Sequence, residues 1–200
     1  MNRCRHDEKL YHQRLMFSFL GKSNPYRLIV GMAGAKMGDR LLQIGCADGG
    51  PLAAVAAVAG LSGRAVAVVP DIAAAVRARK GAERQGVLVD VEVAPGTALP
   101  VDETDFDLVV VDDSAGQFAE TGADVQAATA REALRILKPG GRVLVISALP
   151  ATGLAAVLGR RTRGPTFDAT LALEAGGCRL VRLLGEREGL RFVEGMKARA

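Results

Sequence analysis

From residue 41 onward, apolar runs of two lengths alternate along the chain, and the alternation predicts strands and helices in turn. Leu41 to Ile44, Ala65 to Val69, Val87 to Val93, Asp107 to Val111 and Arg142 to Ile146 read as strands, short and rich in branched apolar side chains. Pro51 to Ala59, Ile72 to Gln85 and Ala123 to Leu137 are longer and helical in spacing, and Pro139-Gly140-Gly141 reads as a stop after the last of them. Strict alternation implies parallel pairing, because parallel neighbours need a crossover, usually helical. After a helix or two between Leu154 and Ala175, Arg179 to Leu184 and Leu190 to Val193 read as strands. The five residues Gly185 to Gly189 are short enough to join them as a hairpin, so a parallel sheet ends in an antiparallel pair.

Ahead of this unit, residues 1 to about 22 place Leu10, Tyr11, Leu15, Met16, Phe19 and Leu20 at helical spacing, with one face to bury. Asn24-Pro25 then signals a turn, and Pro25 suits the first turn of a second helix running through Ala35. The expected organisation is a helical cap over residues 1–36 and an α/β domain over 37–200.

Composition narrows the picture without changing it. Two hundred residues suit one domain plus a short extension. Hydrophobic residues make up 49% and aromatics only 4% with no Trp, so the core rests on Val, Leu, Ile and Ala, which suits buried parallel strands under alanine-rich helices. The net charge of +4 is scattered except at Arg160-Arg161-Thr162-Arg163, a cluster read as a solvated loop ahead of a nucleic-acid or lipid contact. The three cysteines, Cys4, Cys46 and Cys178, lack metal-ligand spacing and are odd in number, which points to a reducing, cytoplasmic setting. Leu15 to Leu20 is too short an apolar run to span a bilayer, so no stable membrane insertion is expected.

Ligands of an open parallel sheet sit beyond the carboxyl ends of the strands, where chain order reverses. Gly45 to Gly49, Val69 to Asp71, Pro95 to Thr97 and Val111 to Ser114 converge there. Pro139-Gly140-Gly141 falls at the opposite end and is assigned to the fold.

Four segments carry a resemblance. Ala33 to Gly49 is similar to a lead-in and first glycine motif; Leu99 to Val110 to an approach to strand four; Arg131 to Ile146 to a helix, turn and strand five; Ala175-Gly176-Gly177-Cys178 to the start of a terminal hairpin. Together they resemble the class I S-adenosylmethionine (SAM) dependent methyltransferases, of the small single-domain, type 11-like kind. The resemblance implies a Rossmann-like doubly wound seven-stranded sheet, mostly parallel with an antiparallel C-terminal hairpin strand. It implies SAM as cofactor and allows a homodimer; the lack of a separate recognition domain favours a small-molecule acceptor over a nucleic-acid partner, and Ser147-Ala148, where the cation-dependent O-methyltransferases have Asp-Asn, leads to the expectation of no metal. Carried over residue by residue, the cofactor contacts fall on Gln43, Gly45, Cys46, Ala47, Gly49, Val69, Pro70, Asp71, Gly96, Thr97 and Asp112, and the catalytic candidates are Asp112 and Asp113.

The residues also depart from that pattern. The family's acids after its first three strands are replaced here by Gln43, Val69 and Pro95, and a motif glycine by Ala47. Gln43 keeps a neutral acceptor, whereas Val69 and Pro95 offer none in their side chains. Asp71 and the backbone of Gly96 and Thr97 are the replacements at hand, although Asp48 and Asp71 equally suit helix N-caps. Asp112 and Asp113 fit either a base and its partner or a turn cap and a solvated acid. His6 and His12, near Tyr11 and Tyr26, read first as surface residues of the cap. A second reading is therefore a non-catalytic member of the fold, acting as a ligand-binding or interaction module.

Overall fold

The computed structural model describes residues 25–101, 104–149 and 167–199. In chain order these form α1 (Arg27–Ala33), β1 (Arg40–Ile44), α2 (Gly50–Ala59), β2 (Arg64–Val69), α3 (Ile72–Gln85), β3 (Asp90–Val93), β4 (Phe106–Asp113), α4 (Ala123–Ile136), β5 (Leu137–Ala148), α5 (Ala169–Ala175), β6 (Arg179–Arg187) and β7 (Leu190–Met196). The cap helix expected before residue 23, with Tyr11, His6 and His12, lies outside the described residues, as does Arg160–Arg163.

The sheet runs β3-β2-β1-β4-β5-β7-β6. Neighbours from β3 to β5 are parallel, and β7 is antiparallel to both β5 and β6, so the expected seven-stranded, mostly parallel sheet is present. Chain order reverses between β1 and β4, where β1 continues to β2 on one side and β4 to β5 on the other.

Side-chain alternation sorts the apolar residues onto two faces. Leu42, Ile44, Val66, Val68, Val109 and Val111 pack under Ala130, Ala133 and Ile136 of α4 and Leu173 of α5. Leu41, Leu108, Val110 and Leu144 face the other way, against Ile29 and Ala33 of α1 and Val55, Ala56 and Ala59 of α2. On that second face, Ala67 and Val69 pack with Cys46 and with Ala74, Ala75 and Ala78 of α3.

Several boundaries differ from the sequence reading, each for a local reason. Helix α1 stops at Ala33 because Gly34 turns left-handed, φ 55°, and returns its N–H to the Val30 carbonyl. Val87 belongs to the end of α3: Gly86 sits at φ 65° and the Val87 amide donates to Ala82, which delays β3 to Asp90. Helix α4 ends within one residue of the expected place, but β5 begins ahead of Pro139-Gly140-Gly141 and not after it, since Leu137 leaves α4 directly into β5 and pairs with Phe106; the three residues form an irregularity before Arg142 rejoins Leu108. The hairpin loop is shorter than five residues. Arg187 pairs with Leu190, and Glu188 and Gly189 between them both take positive φ, 54° and 74°, the two-residue turn whose twist matches its strands.

Candidate active site

A cavity of about 460 Å³ opens at the carboxyl ends of β1 to β4, where chain order reverses. Its floor is Ile44 of β1 and the following Gly45, Val68 of β2 with Pro70 and Asp71 just beyond that strand, and Val111 and Asp112 of β4. Ala94 to Thr97 after β3 form one wall, and Gln117, Phe118, Thr121, Val125 and Thr129 form the other. The size suits a nucleoside-sized ligand, and apolar walls with few polar groups are what such sites usually show.

Of the residues expected to hold a cofactor, the structure brings Gly45, Pro70, Asp71, Gly96, Thr97 and Asp112 to the cavity. Val69 is one residue out of phase: its side chain packs against α3 on the opposite face, and Val68 takes the cavity side. Cys46 is turned into the same α3 cluster, and burial pushes its thiol up to about 11. Gly49 shapes the turn from below, with φ 80° and no room for a Cβ beside the Arg77 carbonyl. Gly45, also at φ 80°, lets the turn lie on β4, where a Cβ would stand 2.9 Å from the Asp112 carbonyl oxygen.

Three side chains, two from α3 and one from the start of α1, brace the β1–α2 turn. Arg77 Nε donates to the Ala47 carbonyl at 3.0 Å and Arg84 Nη2 to the Asp48 carbonyl at 3.2 Å. Tyr26 donates its hydroxyl to Asp48 Oδ2 at 3.1 Å, and the other Asp48 oxygen accepts from Gly50 N. Asp48 thus serves the turn. Asp71 both caps and lines: Oδ1 accepts from the Ala74 amide at 2.7 Å, and the residue borders the cavity.

The two adjacent acids of β4 part company. Asp112 Oδ2 accepts from Gln43 Nε2 at 3.2 Å and Ala47 N at 3.3 Å, while Oδ1 accepts from Ser114 N and Oγ at 3.1 and 2.6 Å. Gln43, 1% exposed, also donates to the Gly45 carbonyl at 3.2 Å. Asp113 faces elsewhere: its oxygens accept from Phe118 N at 2.7 Å and Ala119 N at 3.2 Å, fastening the loop that walls the cavity. Sequence reasoning missed that loop; Phe118, one of six Phe in the chain and set just after Gly116, was the available signal. Its ring meets Phe167 edge to face at 5.3 Å.

Burial raises the Asp113 carboxyl from 3.8 to about 6, against its two backbone donors, with the Asp112 carboxylate adding a smaller push upward. A group whose folded pKa lies above the unfolded value contributes stability below the unfolded pKa and loses it as pH rises through the folded one. Lowering pH from 7 to 5 is thus expected to recover about 1 kcal/mol at this group. Urea unfolding of the native protein and Asp113→Asn at both pH values checks this, and parallel changes in the two proteins would refute it.

Among the described residues no group of three or more His, Cys, Asp or Glu is placed to hold a metal ion, and no helix is long and apolar enough to cross a membrane. The family model described as a methyltransferase domain matches residues 42–145, from β1 through β5. The chain belongs to the methyltransferase-domain family. No curated protein matches it in sequence. Among solved structures, a SAM-dependent methyltransferase from Aquifex aeolicus superposes with a TM-score of 0.69 at 19% identity, over 86% of this chain and 89% of that one. The N-methyltransferase NodS from Bradyrhizobium japonicum gives 0.61 at 16% identity, over 86% and 94%. The [4+2]-cyclase SpnF gives 0.60 at 17% identity, over 88% and 80%, so the methyltransferase-domain fold also carries other chemistry.

Proposed function

We propose that this protein binds SAM in the cavity at the strand ends and transfers its methyl group to a small-molecule acceptor. One observation carries the reading: in a chain of the methyltransferase-domain family, the ends of four consecutive parallel strands and the loop fastened by Asp113 enclose about 460 Å³ at the point of order reversal. The lining fits the group. Ile44, Val68, Pro95, Val111 and Phe118 offer apolar walls for a purine, and Asp71 keeps one carboxylate oxygen beyond its capping bond for ribose hydroxyls. Among the described residues one sheet and its helices make up the fold, with no second module to grip a macromolecule.

Bound SAM supplies an activated methyl group, and displacement at it requires alignment more than covalent assistance. The protein's share is to fix the ligand against Gly45 and Asp112 and to keep water out. Asp112 is placed for contact with the ligand, whereas Asp113 acts on the site through the Phe118 loop, as a positioning residue.

Val69 and Pro95 favour a second reading, a non-catalytic module for a ligand other than SAM, since they leave Asp71 and Asp112 as the acids of the lining. Calorimetric titration with SAM and with its demethylated product, S-adenosylhomocysteine, separates the two. Saturable micromolar binding of both supports the enzyme. The absence of heat from either at millimolar ligand would refute it.

A further inference from the structure

The Asp112 carboxylate is 8% exposed and borders the cavity, yet among the described residues no Lys or Arg pairs with it. Its four donors are one amide side chain, two backbone amides and one hydroxyl, all neutral. Neutral donors satisfy hydrogen bonding but leave the negative charge uncompensated, and buried charges are rarely kept that way. Glu194, comparably buried, shows the usual arrangement, with two arginines on its oxygens.

Gln43 explains how the charge is held. Its Nε2 lies 3.2 Å from both Asp112 Oδ2 and the Gly45 carbonyl, two acceptors, so the nitrogen must face them. The amide ties β1 to β4 across the point of order reversal and fixes the carboxylate beside the Gly45 turn. A carboxylate at position 43 would place two like charges within hydrogen-bond distance, and one would have to take up a proton. A neutral residue at 43 therefore lets the charge stand at 112.

We infer that Asp112 is the counter-charge for a cationic centre of the ligand, and that Gln43 is the residue that positions it. The inference rests on the proposed SAM site, because SAM carries two cationic centres, an ammonium and a sulfonium, and its demethylated product keeps only the first.

Calorimetry on the full chain tests it, with thermal unfolding run alongside to show that each variant is folded. Asp112→Asn, nearly isosteric, is expected to weaken SAM by at least tenfold. An equal loss for S-adenosylhomocysteine assigns the charge to the ammonium, and a loss confined to SAM assigns it to the sulfonium. Exchanging the two groups in Gln43→Glu/Asp112→Asn keeps one carboxylate and one amide in contact and should restore SAM affinity to within about threefold of the native protein. Gln43→Glu alone should bind SAM more weakly and with a steeper pH dependence between 5 and 8 than the native protein and the exchanged pair, which share only the titration of Asp113 behind the Phe118 loop. A purely structural role for Gln43 would not move that profile. Unchanged SAM affinity in folded Asp112→Asn overturns the inference, as does tighter, pH-independent binding in Gln43→Glu. Native protein that binds neither ligand instead removes the proposed function itself.

Discussion

Replacing Glu194 with alanine is expected to lower the unfolding free energy by about 3–5 kcal/mol, the usual consequence of removing one partner from a buried charge group. Glu194 is 3% exposed on β7. Its Oε2 accepts from Arg142 Nη1 at 2.8 Å, and its Oε1 from Arg182 Nη2 and Nε at 2.9 and 3.1 Å. Arg142 does more than balance the charge. Its Nη2 donates to the Ala33 carbonyl at 2.7 Å and the Gly34 carbonyl at 3.2 Å, so the guanidinium takes up carbonyls that the end of α1 leaves without helical partners. Without Glu194 the part-buried Arg142 loses its counter-charge, and the attachment of α1 to the sheet loosens with it. A domain of this size loses about 2–4 °C in Tm per kcal/mol, so the midpoint should fall by about 10 °C. Arg182→Ala is the control: that side chain is 67% exposed, and its removal should cost under about 1 kcal/mol. A loss below 1 kcal/mol in Glu194→Ala, measured by urea unfolding, would show the group to be dispensable.

The alternation of strands and helices was readable because buried parallel strands leave continuous apolar runs, and helix α3 because Asp71 and Gly86 cap both of its ends. The misread boundaries share a cause. Val87 reads as strand by composition, yet its amide completes the end of α3. Pro139-Gly140-Gly141 reads as a break ahead of β5, yet pairing of Leu137 with Phe106 starts the strand before it. Contacts distant in sequence outweigh local preference at both places. The same holds at the candidate site. Which strand ends meet follows from topology alone, and that placed Gly45, Pro70, Asp71, Gly96, Thr97 and Asp112 at one cavity. Which of two adjacent side chains faces the cavity depends on the phase of packing: Val68 does and Val69 does not, and Asp112 does while Asp113 binds the Phe118 loop. The Gln43 to Asp112 bond joins residues 69 apart and has no local signature at all.

Gly81→Ala should destabilise the protein, although alanine in place of an interior helical glycine ordinarily stabilises by about 1 kcal/mol. Gly81 lies in α3, where a Cβ would overlap the Gly49 carbonyl oxygen and stand 2.8 Å from the Gly49 Cα. Both neighbours are backbone, so no side chain can swing aside. Gly49 is equally constrained from its own side, at φ 80° and with Arg77 backbone where its Cβ would go. Helix and turn therefore touch main chain to main chain, and the methyl must push them apart, at about 1–3 kcal/mol for an overpacked contact. The displacement travels to the cavity through bonds already described: Arg77 and Arg84 of α3 hold the Ala47 and Asp48 carbonyls, and the Ala47 amide donates to Asp112. SAM affinity should thus fall by about tenfold together with stability, a misplacement of about 1 Å being enough for such an effect. Gly31→Ala supplies the comparison, since among the described residues a Cβ there meets nothing within 4 Å, and α1 should gain up to about 1 kcal/mol. If both variants proved equally stabilising in urea unfolding, the backbone contact between Gly81 and Gly49 could not be what sets the turn, and the glycines of the first motif would owe their positions to the ligand instead.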